Sequence, residues 1–284
     1  MTIHHQPAGG QPVTAVDSHA HVFRHDLPFA EGCRHSPDYD APLADYLGLL
    51  DAHDVSHAVL VQPSFLGTDN GFLLTALDAC PGRFRGVVVV APSIAEAELR
   101  SMASRGVCGI RLNLLGAAVP DLRSGAWAAL LAHVRALDWH VEVHVEIDRL
   151  PQVGSAVIDS GVRLVVDHFG RPGTQVDAGR GMPWLLEAAA SNSTWVKLSA
   201  AYRNWTPVAA VQATAAAAKL LDAFGPERLV WGSDWPHTQH RELASFSTSL
   251  SALTEWVPDV AARRTILIDT PRCLFHFSSG DNDD

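Results

Sequence analysis

Eight apolar segments of strand length, each followed by a stretch with helical spacing, predict a single-domain (β/α)8 barrel of the α/β class. Three observations carry this expectation. The chain has 284 residues, and α/β barrels of about 250 residues fold as one unit. The apolar segments end at His21, Gln62, Val90, Leu112, Val145, Asp167, Leu198 and Ser233, between 22 and 41 residues apart, and each interval suits one crossover helix with its loops. Polar residues gather at those ends, where such barrels keep their chemistry. A doubly wound open sheet is the weaker alternative on the same rhythm.

The opening apolar run, from Ala15 to Phe23, carries His19 and His21. In a strand they point the same way, about 7 Å apart along the chain. A loop rich in Pro and Asp follows over 25–42, longer than most connections and so a candidate for substrate contact. Leu43, Tyr46, Leu47 and Leu50 mark a helix over 43–53. The segment 57–62 is continuously apolar, as in a parallel strand buried on both faces. The alternation then predicts helices over 70–80, 94–104, 127–137, 150–159, 184–190 and 208–224, the last rich in alanine. Strands are expected over 86–90, 108–113, 140–145, 163–167, 194–198 and 229–233. Segments 242–256 and 261–269 read as closing helices, and the polar ends 1–12 and 278–284 as flexible stretches around a domain over 13–277.

Hydrophobic residues make up 47% and charged residues 18% of the chain, the balance of a soluble globular protein with a sizeable core. A net charge of −10 disfavours nucleic acid or an anionic membrane surface as partner. An anionic small-molecule substrate must then be met by a local cluster of Arg or His. Cys33, Cys80, Cys108 and Cys273 are widely spread, without a C-x-x-C pair, and read as reduced thiols. The sequence shows neither a signal-like start nor an apolar run long enough to span a bilayer, so a cytoplasmic location is expected. No organic cofactor is expected, and monomer and homodimer stay equally open.

The expected strand ends are where the chemistry concentrates. The first bears His19 and His21, the second Ser64, the fourth Arg111, the fifth His144, the sixth Asp167, His168 and Arg171, the seventh Lys197 with Arg203 soon after, and the eighth Asp234 with His237. A buried charge or imidazole is costly unless paired or liganded, so packing alone does not explain so many in one barrel mouth. Several have structural readings. Asp167 suits a hydrogen-bonded strand end, Lys197 a paired position on the barrel wall, Arg171 a loop ion pair, and Trp127 and Trp139 helix packing. Glu142 or Glu146 would orient His144. For His168 and Asp234 the functional reading is favoured. The two imidazoles of the first strand could hold a divalent metal or polarise a carbonyl.

Three motifs resemble the amidohydrolase superfamily, in the branch around 2-pyrone-4,6-dicarboxylate hydrolase and related sugar and muconolactone lactonases. They are Val16-Asp17-Ser18-His19-Ala20-His21, Val166-Asp167-His168-Phe169-Gly170-Arg171-Pro172 and Trp231-Gly232-Ser233-Asp234-Trp235-Pro236-His237, supported by Gln62-Pro63-Ser64 and Gly67-Thr68-Asp69-Asn70. The resemblance spans Asp17 to about Phe275 and implies a TIM barrel that hydrolyses a cyclic ester. It makes Asp234 the general base that deprotonates water, with His19, His21 and His168 polarising the lactone carbonyl or stabilising the oxyanion. It assigns Arg111 and Arg203 to a substrate carboxylate, with Ser64 assisting, and places His35, Arg171 and His237 among the substrate-binding residues.

The chain departs from the pyrone hydrolase pattern in three places. Ala117 stands where a second arginine is expected, and His35 and His144 stand for two tyrosines. The expectation is therefore a lactonase, not that pyrone hydrolase in particular. Metal-dependent members of the superfamily imply a second possibility, a zinc or manganese ion on His19, His21, His144 and Asp234, giving Lewis-acid activation. A decarboxylase or lactone isomerase on the same scaffold is the alternative, and a non-catalytic binding barrel a further one.

Overall fold

The computed structural model describes residues 12–173, 176, 179–205 and 209–278. Of the expected flexible ends, 1–11 and 279–284 lie outside these, as does Val208 at the start of the expected alanine-rich helix.

Eight parallel strands pair in sequence order: β1 (Val16–Ala20), β2 (His57–Val61), β3 (Phe84–Val88), β4 (Val107–Asn113), β5 (His140–His144), β6 (Arg163–Val166), β7 (Thr194–Ser199) and β8 (Leu229–Gly232). The crossovers carry α1 (Leu43–Ala52), α2 (Gly71–Ala79), α3 (Glu96–Ser104), α4 (Gly125–Ala136), α5 (Leu150–Asp159), α6 (Gly181–Glu187), and α7 (Tyr202–Trp205) with α8 (Ala209–Phe224). After β8 come α9 (Phe246–Trp256), α10 (Val260–Arg264) and α11 (Thr270–Leu274). The end of β8 returns to β1 through an Ala20–Trp235 bridge. His21 N donates to Trp235 O and Asp234 N to His19 O, each at 2.8 Å. The sheet thus closes into a (β/α)8 barrel, which removes the open-sheet alternative, and closure itself sets Asp234 beside His19.

The strands are buried along nearly their whole length because each has a barrel interior on one side and helices on the other. Along β2, Val59 and Val61 join the interior cluster with Val16, Val87, Val165 and Val230, which Leu274, Phe275 and Phe277 also join. Ala58 and Leu60 pack instead in the layer between strands and helices. Each fully buried Val or Leu contributes about 1.5–3 kcal/mol, so this two-sided burial holds the barrel.

Alternation of faces along the other strands stacks the interior. In β5, Val141 and Val143 face the helices, which turns Glu142 inward; in β7, Val196 and Leu198 do the same and turn Lys197 inward. β1 is irregular. Its register with β2 shifts between Asp17 and Ala20. Asp17 accepts from the Tyr46 hydroxyl of α1, outside the barrel, at 2.8 Å, whereas His19 reaches Lys197 inside it, at 3.1 Å. Two residues of equal parity face opposite sides only because a bulge intervenes. That irregularity aims the histidines at the barrel axis.

Candidate active site

Beneath the mouth of the barrel lies a buried ionic layer. Lys197 Nζ pairs with Glu142, and Arg111 Nη2 pairs with Asp167 Oδ2 at 2.7 Å. Arg111 Nε also lies 3.4 Å from Glu142 Oε1. Two cations thus balance two carboxylates, which makes burial of all four tolerable. Burial, and then the neighbouring Asp167 carboxylate, push the Glu142 pKa up. Burial acts on Asp167 too, but Arg111, His19 and Lys197 outweigh it and hold its carboxyl well below the usual range.

His19 sits on this layer and is fully buried. Its Nε2 lies 3.3 Å from His21 Nε2. His21 Nδ1 is 2.7 Å from the Val61 carbonyl, which can only accept, so His21 carries its hydrogen on Nδ1 and leaves Nε2 as an acceptor. Burial pushes the His19 pKa down to about 3, with Lys197 adding to the fall, and keeps His168 neutral in the same way. His168 Nδ1 lies 2.8 Å from Ser199 Oγ. His168, Phe169, Arg171 and Asp234 all adopt positive φ, between 52° and 58°, a concentration of backbone strain at one spot in the fold. Asn204 Nδ2 steadies the His168 carbonyl at 2.9 Å.

The two oxygens of Asp234 have different surroundings. Oδ2 accepts from Arg203 Nε at 2.6 Å and from the Tyr202 hydroxyl at 2.5 Å. Oδ1 is buried with no hydrogen-bond partner among the described residues, 3.5 Å from His21 Nε2 and 3.8 Å from His19 Nε2. Burial works to raise the Asp234 pKa, but the Arg203 guanidinium outweighs it and holds the carboxylate ionised.

These groups open into a cleft of about 280 Å³ at the C-terminal ends of the strands. Of the residues expected at the site, His21, His35, Ser64, Arg111, His144, His168, Arg203 and Asp234 line it, and His19 lies directly beneath. Two are not brought to the cleft wall. Arg171 Nη1 donates to the Arg203 carbonyl at 2.8 Å and to Asn204 Oδ1 at 3.0 Å, so it braces the loop that carries Arg203. His237 lines a separate surface groove with Tyr39 and Trp235. Arg111, although at the cleft, has Nε and Nη2 engaged by Asp167. A larger cavity of about 580 Å³ lies at the other end of the barrel, around Phe84, Gly106 and His276, away from all of this chemistry.

Sequence reasoning passed over Tyr202, Arg34 and Asn113. Tyr202 adjoins Arg203, and that adjacency on the short helix α7 was its only signal. Arg34 Nη2 donates to Asn113 Oδ1 at 3.1 Å across 79 positions of sequence, a pairing that no local pattern encodes.

His19, His21 and Asp234 each offer one ligand atom, all within 4.8 Å of one another. Two imidazole nitrogens and an unpartnered buried carboxylate oxygen suit a divalent ion, so these three could hold one. A second group of the same kind joins His19, Asp167 and His168. His144, the remaining expected ligand, belongs to neither group among the described residues. Its ring stacks edge-on against His168 with centroids 5.2 Å apart, and neither of its nitrogens has a hydrogen-bond partner among the described residues.

The profile of a protein family described as amidohydrolase matches residues 16–277. The chain is 31% identical over 276 residues to a 4-sulfomuconolactone hydrolase of Rhizobium radiobacter, covering 93% of this chain and 90% of that one. It is 30% identical over 282 residues to a D-galactarolactone isomerase of Agrobacterium fabrum, with 94% and 92% covered. Its fold is similar to the crystal structure of a Pseudomonas putida protein described as a candidate 2-pyrone-4,6-dicarboxylic acid hydrolase, at a TM-score of 0.88 and 44% identity over 94% of this chain and 99% of that one.

Proposed function

The chain belongs to the amidohydrolase family, and we propose that it is a lactonase, hydrolysing the ester bond of a small anionic lactone in the cleft at the C-terminal end of the barrel. The observation that carries this reading is the unpartnered Oδ1 of Asp234, ionised and buried beside two imidazole nitrogens. Relatives that act on lactones support the substrate class.

In this reading a water molecule in the cleft gives its proton to Asp234 Oδ1 as its oxygen attacks the lactone carbonyl. Oδ2 is unavailable for that proton, being held by Arg203 and Tyr202. His19, His21 and His168 border the same volume, and an imidazole N–H of His19 or His168 aimed at the developing oxyanion would lower the barrier by several kcal/mol, while His21, with its hydrogen on Nδ1, accepts from His19. The tetrahedral intermediate collapses by breaking the ring C–O bond, and the proton on Asp234 returns to the leaving alkoxide.

Arg203, with Ser64 and His35 on the facing wall, would bind the substrate's carboxylate. An anion at Arg203 would share the guanidinium with Asp234 and raise the basicity of Asp234 toward a working range. Arg111 would reach the substrate only through the part of its guanidinium that Asp167 leaves open, and Arg171 and His237 would act from behind the wall. His19, His21 and Asp234 are the residues that would hold a divalent ion, which when bound would polarise the carbonyl as a Lewis acid.

Incubation of the purified protein with a panel of sugar-acid lactones and muconolactones in 18O-labelled water tests the proposal. One labelled oxygen in a ring-opened hydroxy acid is expected. An isomeric lactone without label would identify an isomerase, and loss of carbon dioxide a decarboxylase.

A further inference from the structure

Lys197 is fully buried inside the barrel, yet it reaches neither the cleft nor solvent, and the reaction as described does not use it. Among the described residues its Nζ has two hydrogen-bond partners, a carboxylate oxygen of Glu142 and Nδ1 of His19 at 3.1 Å, and it lies 3.7 Å from Asp167 Oδ1. An ammonium has three hydrogens and no lone pair, so toward His19 it can only donate. Two carboxylate oxygens also lie near His19 Nδ1, Asp167 Oδ1 at 3.3 Å and Glu142 Oε1 at 3.5 Å. Neither forms an aligned hydrogen bond with any donor among the described residues. The aligned contact of Nδ1 is the one to Lys197. A hydrogen on Nδ1 would instead point at a cation.

From this arrangement we infer that Lys197 is a positioning residue that fixes the tautomer of His19, holding its hydrogen on Nε2. The consequence runs up the strand. His19 Nε2–H faces His21 Nε2 at 3.3 Å, and His21, with its own hydrogen directed at the Val61 carbonyl at 2.7 Å, is an acceptor there. Lys197, His19, His21 and Val61 form one ladder in which every donor meets an acceptor. The top of the ladder presents a hydrogen-bond donor beside Asp234, which an incoming carbonyl oxygen can take over from His21. The role in catalysis rests on the lactonase reading above; the tautomer does not. A divalent ion on His19 Nε2 would need the lone pair that this hydrogen occupies, so proton donation and metal ligation by His19 are mutually exclusive states.

The test is nitrogen-15 NMR of histidine-labelled protein, with the His19 signals assigned by their loss in His19→Gln. In the wild type, a hydrogen directly bonded to Nε2 of His19 is expected. A hydrogen on Nδ1, or zinc retained stoichiometrically with His19 as ligand in elemental analysis of the same sample, would overturn the inference. The second measurement uses Lys197→Met combined with Glu142→Gln, which removes the pair together and leaves no uncompensated buried charge. There the hydrogen should redistribute to Nδ1, and kcat on the best lactone should fall about tenfold, the worth of one net hydrogen bond, with KM little changed. An unchanged Nε2–H in that variant would show that Lys197 does not hold it. Since the spectrum needs no substrate, a protein that shows the predicted tautomer but opens no lactone would sink the lactonase reading alone.

Discussion

Arg203 Nε and Asp234 Oδ2 lie 2.6 Å apart, a pairing between the loop after β7 and the turn after β8 that leaves the other oxygen of Asp234 facing His19 and His21. The guanidinium therefore has two tasks, to hold the carboxylate and to meet the substrate.

Replacing it separates those tasks. Arg203→Lys keeps the charge but loses the fork in which Nε serves Asp234 and Nη2 donates to the Thr238 carbonyl at 3.1 Å. A charge-assisted hydrogen bond is worth about 1.5–3 kcal/mol, so kcat/KM should fall about 10- to 100-fold. Steady-state kinetics should show kcat falling as well as KM rising. A change confined to KM would mean that Arg203 does not govern Asp234.

Gly232 in β8 permits the close approach of β1. A Cβ there would stand 2.6 Å from His19 Cβ and 2.9 Å from His19 N, and both neighbours are fixed by the barrel. Gly232→Ala should cost about 1–3 kcal/mol in urea denaturation, as overpacking does. By moving His19 it should also lower kcat/KM by about 10²-fold. Full stability and activity would show that β1 is freer to move than its hydrogen bonds to Trp235 and Asp234 indicate.

Stability should depend on pH in a definite direction. Burial pushes the pKa of His19 to about 3 and of His57 to about 4, and holds His140 well below its ordinary value. Below pH 6.5 the unfolded chain binds protons at these positions while the folded chain does not. Their contribution is complete above 6.5 and drains away as the pH falls toward 4. Asp17 works in the opposite sense, since burial raises it to about 6 and the folded state then binds the extra proton. Glu142, which burial also raises, acts with Asp17, but His144, His168 and His237, lowered by burial as well, add to the first three. Six histidines outweigh two carboxyls, so thermal melts should give a lower Tm at pH 5 than at pH 7. A Tm that is flat or rises toward pH 5 would contradict this.

The barrel was legible because burial on both faces writes each strand as an apolar run, and α5 occupies the expected residues 150–159. Edges were less legible. β3 was expected over 86–90 but begins at Phe84, where Ala58 supplies a pairing partner; hydrophobicity does not mark where a ladder starts. The helix expected over 242–256 begins at Phe246, after Ser245 and Thr248 exchange capping bonds, a signal present in the sequence. The helix expected over 261–269 divides into α10 and a π-helical turn over Thr265–Asp269, and α11 continues beyond the expected end. At the site, residues at strand ends were found and their pairings were not. Lys197 and His19 are 178 positions apart, and Arg203 meets Asp234 because β7 and β8 pair side by side, which brings the seventh and eighth loops together. Such pairings depend on barrel stagger, which single-strand patterns do not contain. For the same reason His144, expected with the metal ligands, stands beside His168 instead.

The most direct test of the account is Asp234→Asn, assayed on the best lactone for turnover and, by calorimetry, for binding of that lactone or its hydroxy-acid product. The variant keeps the shape of the side chain and removes the proton acceptor. Turnover should fall about 10²- to 10⁴-fold, the usual worth of a general base, with binding retained. Unimpaired turnover, or a loss of turnover matched by an equal loss of binding, would contradict the assignment of Asp234 as the base.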